Sequence, residues 1–180
     1  MVFLRAIELV DQERMLDILT CEQVNRTYML PDFSQREEAI PLFSRLMEMC
    51  LDTENYVRAI VTEDGLVGFL NSTGIQGTKI ELGYVIHPSF QGRGYMSKAL
   101  QLAMDELFAL GYDEILTSAF STNTPSIRVM EKCGLTKLGK TEEIQYRGAT
   151  HTCVYYSKKQ ENRKSAWNGT QAAPDNQMIQ

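Results

Sequence analysis

The first residues with a chemical use lie in the run His87-Pro88-Ser89-Phe90-Gln91-Gly92-Arg93-Gly94-Tyr95-Met96. Two glycines one residue apart let backbone N–H groups turn inward with no Cβ in the way. A helical apolar period begins directly after them. The first N–H groups of that helix lack intrahelical partners and carry the positive end of its dipole. Such a loop is an anion site, most naturally for phosphate or pyrophosphate. The alternative is a glycine turn that only closes a strand onto a helix. The phosphate-loop pattern needs Gly-Lys-Ser/Thr, where this chain has Gly94-Tyr95-Met96. The dinucleotide fingerprint needs a third glycine, and none follows.

A second block, Asn123-Thr-Pro-Ser126 followed by Glu131-Lys132-Cys133-Gly134-Leu135, stands downstream in the expected order. With the strand, His87-Pro88 and Gln91-Gly92-Arg93-Gly94-Tyr95-Met96, it resembles the GCN5-related N-acetyltransferase (GNAT) family. The family's acyl-coenzyme A signature is Arg/Gln-x-x-Gly-x-Gly/Ala, matched at Gln91 and Gly94, with Met96 where a small residue is usual. The resemblance covers residues 1–158, and its nearest branch is that of the ribosomal-protein and small-amine acetyltransferases. It implies a mixed, mostly antiparallel α/β (α+β) sheet flanked by helices, with an acyl-CoA cleft between splayed strands. It also implies acetyl-CoA as donor, no metal, and a primary amine as acceptor, either a small molecule or a protein N-terminus. Transfer would be direct, in a ternary complex.

Acyl transfer to an amine requires a held thioester, a polarised carbonyl, a deprotonated nucleophile and a stabilised thiolate. The resemblance places the pyrophosphate on the backbone of Gly92, Arg93, Gly94, Tyr95 and Met96, beside Gln91. The Arg93 side chain would add charge. Val85 and Ile86 occupy the splayed strand, where one N–H would polarise the thioester carbonyl. Asn123 would bind the pantetheine arm, with Ser126 as a further cofactor-binding residue. Glu81 is the candidate base, directly or through a water; the alternative is a solvated strand-edge charge. An aliphatic ammonium near neutral pH is already deprotonated about once in 10³ molecules, so the base need not be strong. Many relatives use a Tyr as general acid at the position of Met130, and methionine has no proton to give. Ser126 or Tyr84 would substitute. Tyr28 and Phe33 would wall the acceptor pocket, unless both simply seal the core. An acyl-CoA-binding module without turnover is the competing function.

Composition bounds these readings. The chain has 180 residues and a net charge of −5, from 18 Lys and Arg against 23 Asp and Glu. That balance argues against a general nucleic-acid surface and permits a cationic acceptor. No apolar run is long enough to span a bilayer, and Met1–Arg5 does not read as a secretion leader. Four cysteines without a Cys-x-x-Cys pair suit reduced thiols in a cytoplasmic monomer or homodimer. Two histidines are too few for a metal site.

Periodicity predicts the elements that hold these residues. Phe3–Leu9 reads as a strand. Asp11 caps a helix carrying Met15, Ile18 and Leu19, and Ser34 with Glu37 reads as a capping box for a second. Tyr56–Val61 and Leu66–Leu70 form a hairpin about Asp64-Gly65, followed by a looser turn at Gly74–Gly77. In the strand Lys79–His87, Ile80, Leu82, Tyr84 and Ile86 share one face, and Glu81, Gly83 and Val85 the other. A helix over Tyr95–Leu110 leads to a strand over Tyr112–Phe120. Thr124 then caps a helix over Pro125–Cys133. Leu135–Tyr146 and Thr152–Lys158 pair through Arg147-Gly148-Ala149. The polar remainder, 159–180, reads as a disordered tail.

Overall fold

The computed structural model describes residues 1–161. Nearly all of the expected tail therefore lies outside the described residues.

Seven strands form one sheet: β1 (Phe3–Arg5), β2 (Val57–Thr62), β3 (Gly65–Gln76), β4 (Lys79–Ile86), β5 (Glu114–Phe120), β6 (Thr136–Tyr146) and β7 (Ala149–Lys159). Their order is β1-β2-β3-β4-β5-β7-β6. Only β4 and β5 run parallel; every other pair is antiparallel. The mixed, mostly antiparallel sheet expected above is what forms.

Helices cover both faces. On one lie α1 (Gln12–Leu19), α2 (Glu22–Asn25) and α3 (Ile40–Met49), packing Met15, Ile18, Leu19 and Phe43 against Val57, Phe69 and Val85. On the other lie α4 (Tyr95–Ala109) and α5 (Thr124–Lys132), with Leu100, Met104 and Met130 against Leu70, Ile80 and Leu82. Strand β4 thus serves two cores by strict alternation. Both α4 and α5 end on a left-handed glycine. Gly111 and Gly134 donate to Phe108 O and Glu131 O, while Tyr112 and Leu135 reach back to Leu107 O and Met130 O. That double bond pattern stops a helix while satisfying its last carbonyls.

Several local expectations need correction. The first strand ends at Arg5, because Arg5 turns to grip Asp11. Asp11 does not cap α1 through its side chain. Its carboxylate instead takes both Arg5 guanidinium nitrogens, at 2.6 and 2.8 Å, and the Glu8 N–H. Burial alone would raise the Asp11 pKa, but the Arg5 and Glu8 hydrogen bonds and the Arg5 charge outweigh it and hold it low. The Ser34–Glu37 box is absent: Glu38 accepts from Ser34 N–H, and α3 starts later, with Pro41 in its first turn. The chain does not turn at Gly74; β3 passes through it on a bulge and turns at Gly77-Thr78. The last hairpin turns on Arg147-Gly148 alone, both at positive φ, and Ala149 already pairs with Tyr146.

One glycine sets how closely β4 lies on β3. Gly68 faces Ile86, and a Cβ there would sit 2.2 Å from Val85 O. Neither partner is a flexible side chain, so the strands themselves must part. Gly68→Ala is expected to destabilise the domain by about 3 kcal/mol, within the range for overpacking and lost ladder bonds. Denaturant unfolding with an unchanged m-value checks it.

Candidate active site at the fork of two parallel strands

The β4–β5 pairing covers only Lys79–Leu82 against Glu114–Thr117. Beyond it, Gly83–Ile86 and Ser118–Phe120 diverge and leave backbone groups facing a gap. His87 N–H donates to Val67 O on β3. Counting back by two through this regular register, the N–H groups of Val85 and Gly83 also face β3. Those of Ile86 and Tyr84 therefore face the gap. Of the two residues named for the oxyanion role, Ile86 has the N–H aimed at the fork.

The two faces of β4 carry different chemistry beside that gap. On the α3 side, Glu81 Oε1 accepts from Ser118 Oγ at 2.9 Å across the strand pair. On the α5 side, Tyr84 Oη and Ser126 Oγ are 2.8 Å apart, and Tyr84 also reaches Ser126 O. Burial pushes the Tyr84 phenol up to about 12, with the Ser126 hydrogen bond opposing. It stays protonated at neutral pH and can donate. Asn123, rather than Thr124, caps α5: its Oδ1 accepts from Ser126 N–H at 3.3 Å. Thr124 is already helical, and Asn123 Nδ2 keeps two N–H donors beyond the cap bond.

The glycine loop lies at the far end of the fork. Gly92 and Gly94 have φ of 76° and 75°. Gly94 is the N-cap of α4 and has no side chain to occupy the first amides of the helix. Nothing lies within 4 Å of where a Cβ would stand on either glycine. The open cradle and its uncapped N–H groups fit a pyrophosphate. The Met96 side chain is buried in the α4 core, so its bulk is kept away from the loop. Arg93 is half-exposed, lies over the Phe90 ring and meets Asp64 only at 3.9 Å, which leaves it free to swing onto an anion.

A cavity of about 300 Å³ opens on the Glu81 side of the sheet. Its floor includes Gly83, Asn71, Thr73 and Ser118, and its walls include Tyr28, Leu42, Phe69 and Phe120. The Tyr28 hydroxyl donates to Asn71 Oδ1, and its ring meets Phe69 edge-on at 5.9 Å. A Cβ on residue 83 would stand 2.8 Å from the Tyr28 oxygen, so glycine is required for the ring to lie there. Burial raises the Tyr28 pKa, and the Asn71 hydrogen bond only partly offsets it. Phe33 is not part of this wall; it packs against the α1–α3 core. Its place is taken by Phe120, stacked on His151 at 4.3 Å.

The family model for the GNAT acetyltransferase domain matches residues 2–136, which span every element from β1 through α5. The chain belongs to the GNAT acetyltransferase family. Uncharacterized N-acetyltransferase YnaD of Bacillus subtilis (strain 168) is 30% identical over 107 residues, covering 58% of this chain and 63% of YnaD. Spermidine N-acetyltransferase from Vibrio cholerae, solved with CoA and spermine, is 19% identical with a TM-score of 0.76 over 88% of this chain and 95% of that one. An acetyltransferase from Salmonella typhimurium that modifies the N-terminal serine of ribosomal protein L7/L12 is also 19% identical, with a TM-score of 0.77 over 89% and 95%. At such identities the solved structures establish the fold.

In this acetyltransferase Met130 is fully buried, so the position where relatives carry a hydroxyl holds only core. Ser118, Asn71 and Phe120 escaped sequence reasoning. They become neighbours of Glu81 and Tyr28 through strand register, which no local spacing encodes. Two absences hold among the described residues: no group of three or more metal-ligating side chains, and no helix long and apolar enough to cross a membrane. The four cysteines are all free thiols.

Proposed function

We propose that this GNAT domain transfers the acetyl group of acetyl-CoA to a primary amine by direct attack in a ternary complex. The observation that carries this reading is the fork itself, with Glu81–Ser118 on one face and Tyr84–Ser126 on the other. The pyrophosphate lies on residues 92–96, and the pantetheine arm runs past Asn123 into the gap between β4 and β5. Ile86 N–H faces the thioester carbonyl and stabilises the oxyanion as the amine nitrogen attacks. Glu81, directly or through a water, takes the proton from the ammonium. The C–S bond then breaks, the Tyr84–Ser126 hydroxyl pair protonates the departing thiolate, and the extra proton on the new amide nitrogen returns through solvent to restore the pair. Base and acid thus work from opposite sides of one strand.

Two measurements test the reading together. Calorimetry is expected to show one acetyl-CoA site per chain, and thiol release is expected on adding a primary amine. Binding without release for any amine, peptide or polyamine would leave the competing CoA-binding module.

The acid step carries its own prediction. A thiol with an ordinary pKa of about 8.5 is a tolerable leaving group unaided. Ser126→Ala is therefore expected to lower kcat only about tenfold, with the amine KM unchanged. Tyr84→Phe should do the same, and the double variant should lose no more than either alone. Additive losses would show that the two hydroxyls do not act as one donor.

A further inference from the structure

We propose that the acceptor is a small amine with one positive charge on a compact apolar body, and that a polyamine, a free amino acid or an extended peptide terminus is disfavoured. This assignment presupposes amine acetylation at the fork and narrows it. The cavity beside Glu81 combines a few polar groups on the sheet with a largely apolar lining. Tyr28, Asn71, Thr73 and Ser118 cluster on the sheet near Glu81 and Gly83, where the reacting nitrogen must lie. Tyr28 donates its proton to Asn71, which leaves its oxygen lone pairs to accept from an ammonium. Leu30, Leu42, Leu46, Phe69 and Phe120 supply much of the remaining lining, which is largely apolar.

Among the described residues, none of the side chains lining this cavity is charged. A second ammonium, as in a polyamine or an aminoglycoside, would be stripped of water with no carboxylate to meet it. A free amino acid would bring a carboxylate with no Arg or Lys to pair it. The volume of about 300 Å³ lies at the lower end for ligand pockets, roughly 300–1,000 Å³.

The exit is narrowed as well. Tyr146, at the end of β6, donates to Asn25 O at 2.6 Å and to Tyr28 O at 3.3 Å. Arg147 pairs with Asp32. The β6–β7 hairpin is thereby tied to the Asn25–Asp32 segment across one side of the cavity. A peptide docking as an added strand needs an open edge there, and this tie occupies it.

The experiment measures acetyl-CoA consumption by the full chain with 2-phenylethylamine, leucinamide, leucine, spermidine and a serine-initiated tetrapeptide. Expected values of kcat/KM are about 10²-fold higher for 2-phenylethylamine than for spermidine, and at least tenfold higher for leucinamide than for leucine. A Leu42→Glu variant places a carboxylate among the apolar lining, at a half-buried position, and its unfolding midpoint is checked against the parent's. It should raise the spermidine to 2-phenylethylamine ratio at least tenfold. Wild-type preference for spermidine, leucine or the tetrapeptide overturns this substrate class while leaving amine acetylation standing. No consumption with any of the five, despite acetyl-CoA binding, overturns amine acetylation and this narrowing with it.

Discussion

Glu81→Gln is expected to bind acetyl-CoA as the parent protein does and to turn over at least about 10²-fold more slowly at neutral pH. Glutamine keeps the shape and, through its carbonyl, the acceptor for Ser118 Oγ, so the fork should be undisturbed. What it loses is a site that can take a proton. The deficit should shrink as pH rises towards the pKa of the amine, because the nucleophile then arrives already neutral. A pH profile of kcat/KM checks this. A variant that runs parallel to the parent at every pH, or matches it at neutral pH, would show that Glu81 is only a strand-edge charge.

Loss of donor binding is the second large effect. Gly94 sits at φ 75°, and proline is confined to about −65°. Gly94→Pro must rebuild the turn and swing the first amides of α4 away from the pyrophosphate. Binding should fall below detection by calorimetry. Gly94→Ala is the graded counterpart: a left-handed alanine costs roughly 1–2 kcal/mol, so affinity should drop about tenfold if the loop holds its shape when bound. The loop is open around this position. Circular dichroism should match the parent's, and the Gly94→Ala midpoint should fall by no more than the cost of a left-handed alanine, which separates loss of the site from loss of the fold. Unaltered affinity in both variants would place the donor phosphates elsewhere.

How far these sites could be read from sequence differs by residue. Gly92, Gly94 and the alternation along β4 were legible because they depend on neighbours in the chain. Backbone conformation at a glycine and side-chain parity along a strand are local properties. The same parity separates Glu81 from Tyr84. It could not say that the parallel ladder ends at Leu82 and Thr117, because the end of a ladder belongs to two strands and the helix between them. Asn123 and Thr124 both offer a capping oxygen ahead of Pro125. Either side chain can cap, and only the backbone path decides which stands outside the first turn. Phe33 has the residue type of a pocket wall, yet the later start of α3 turns it towards the core. Phe120, which completes the wall, and His151, which stacks on it, come from β5 and β7 and meet through pairing in the second half of the sheet.

The tie from Tyr146 to Asn25 joins residues 121 positions apart. Contacts of such sequence separation repay their loop-closure entropy late, after the nearer pairings have formed. On a chain emerging from the ribosome, the glycine loop and α4 can close on β4 while β6 and β7 are still unsynthesised. The donor half of the site thus has its parts before the acceptor half has a wall. Until the terminal hairpin reaches back to the Asn25–Asp32 segment, the fork is open to water on that side. The docking of the last two strands closes that side.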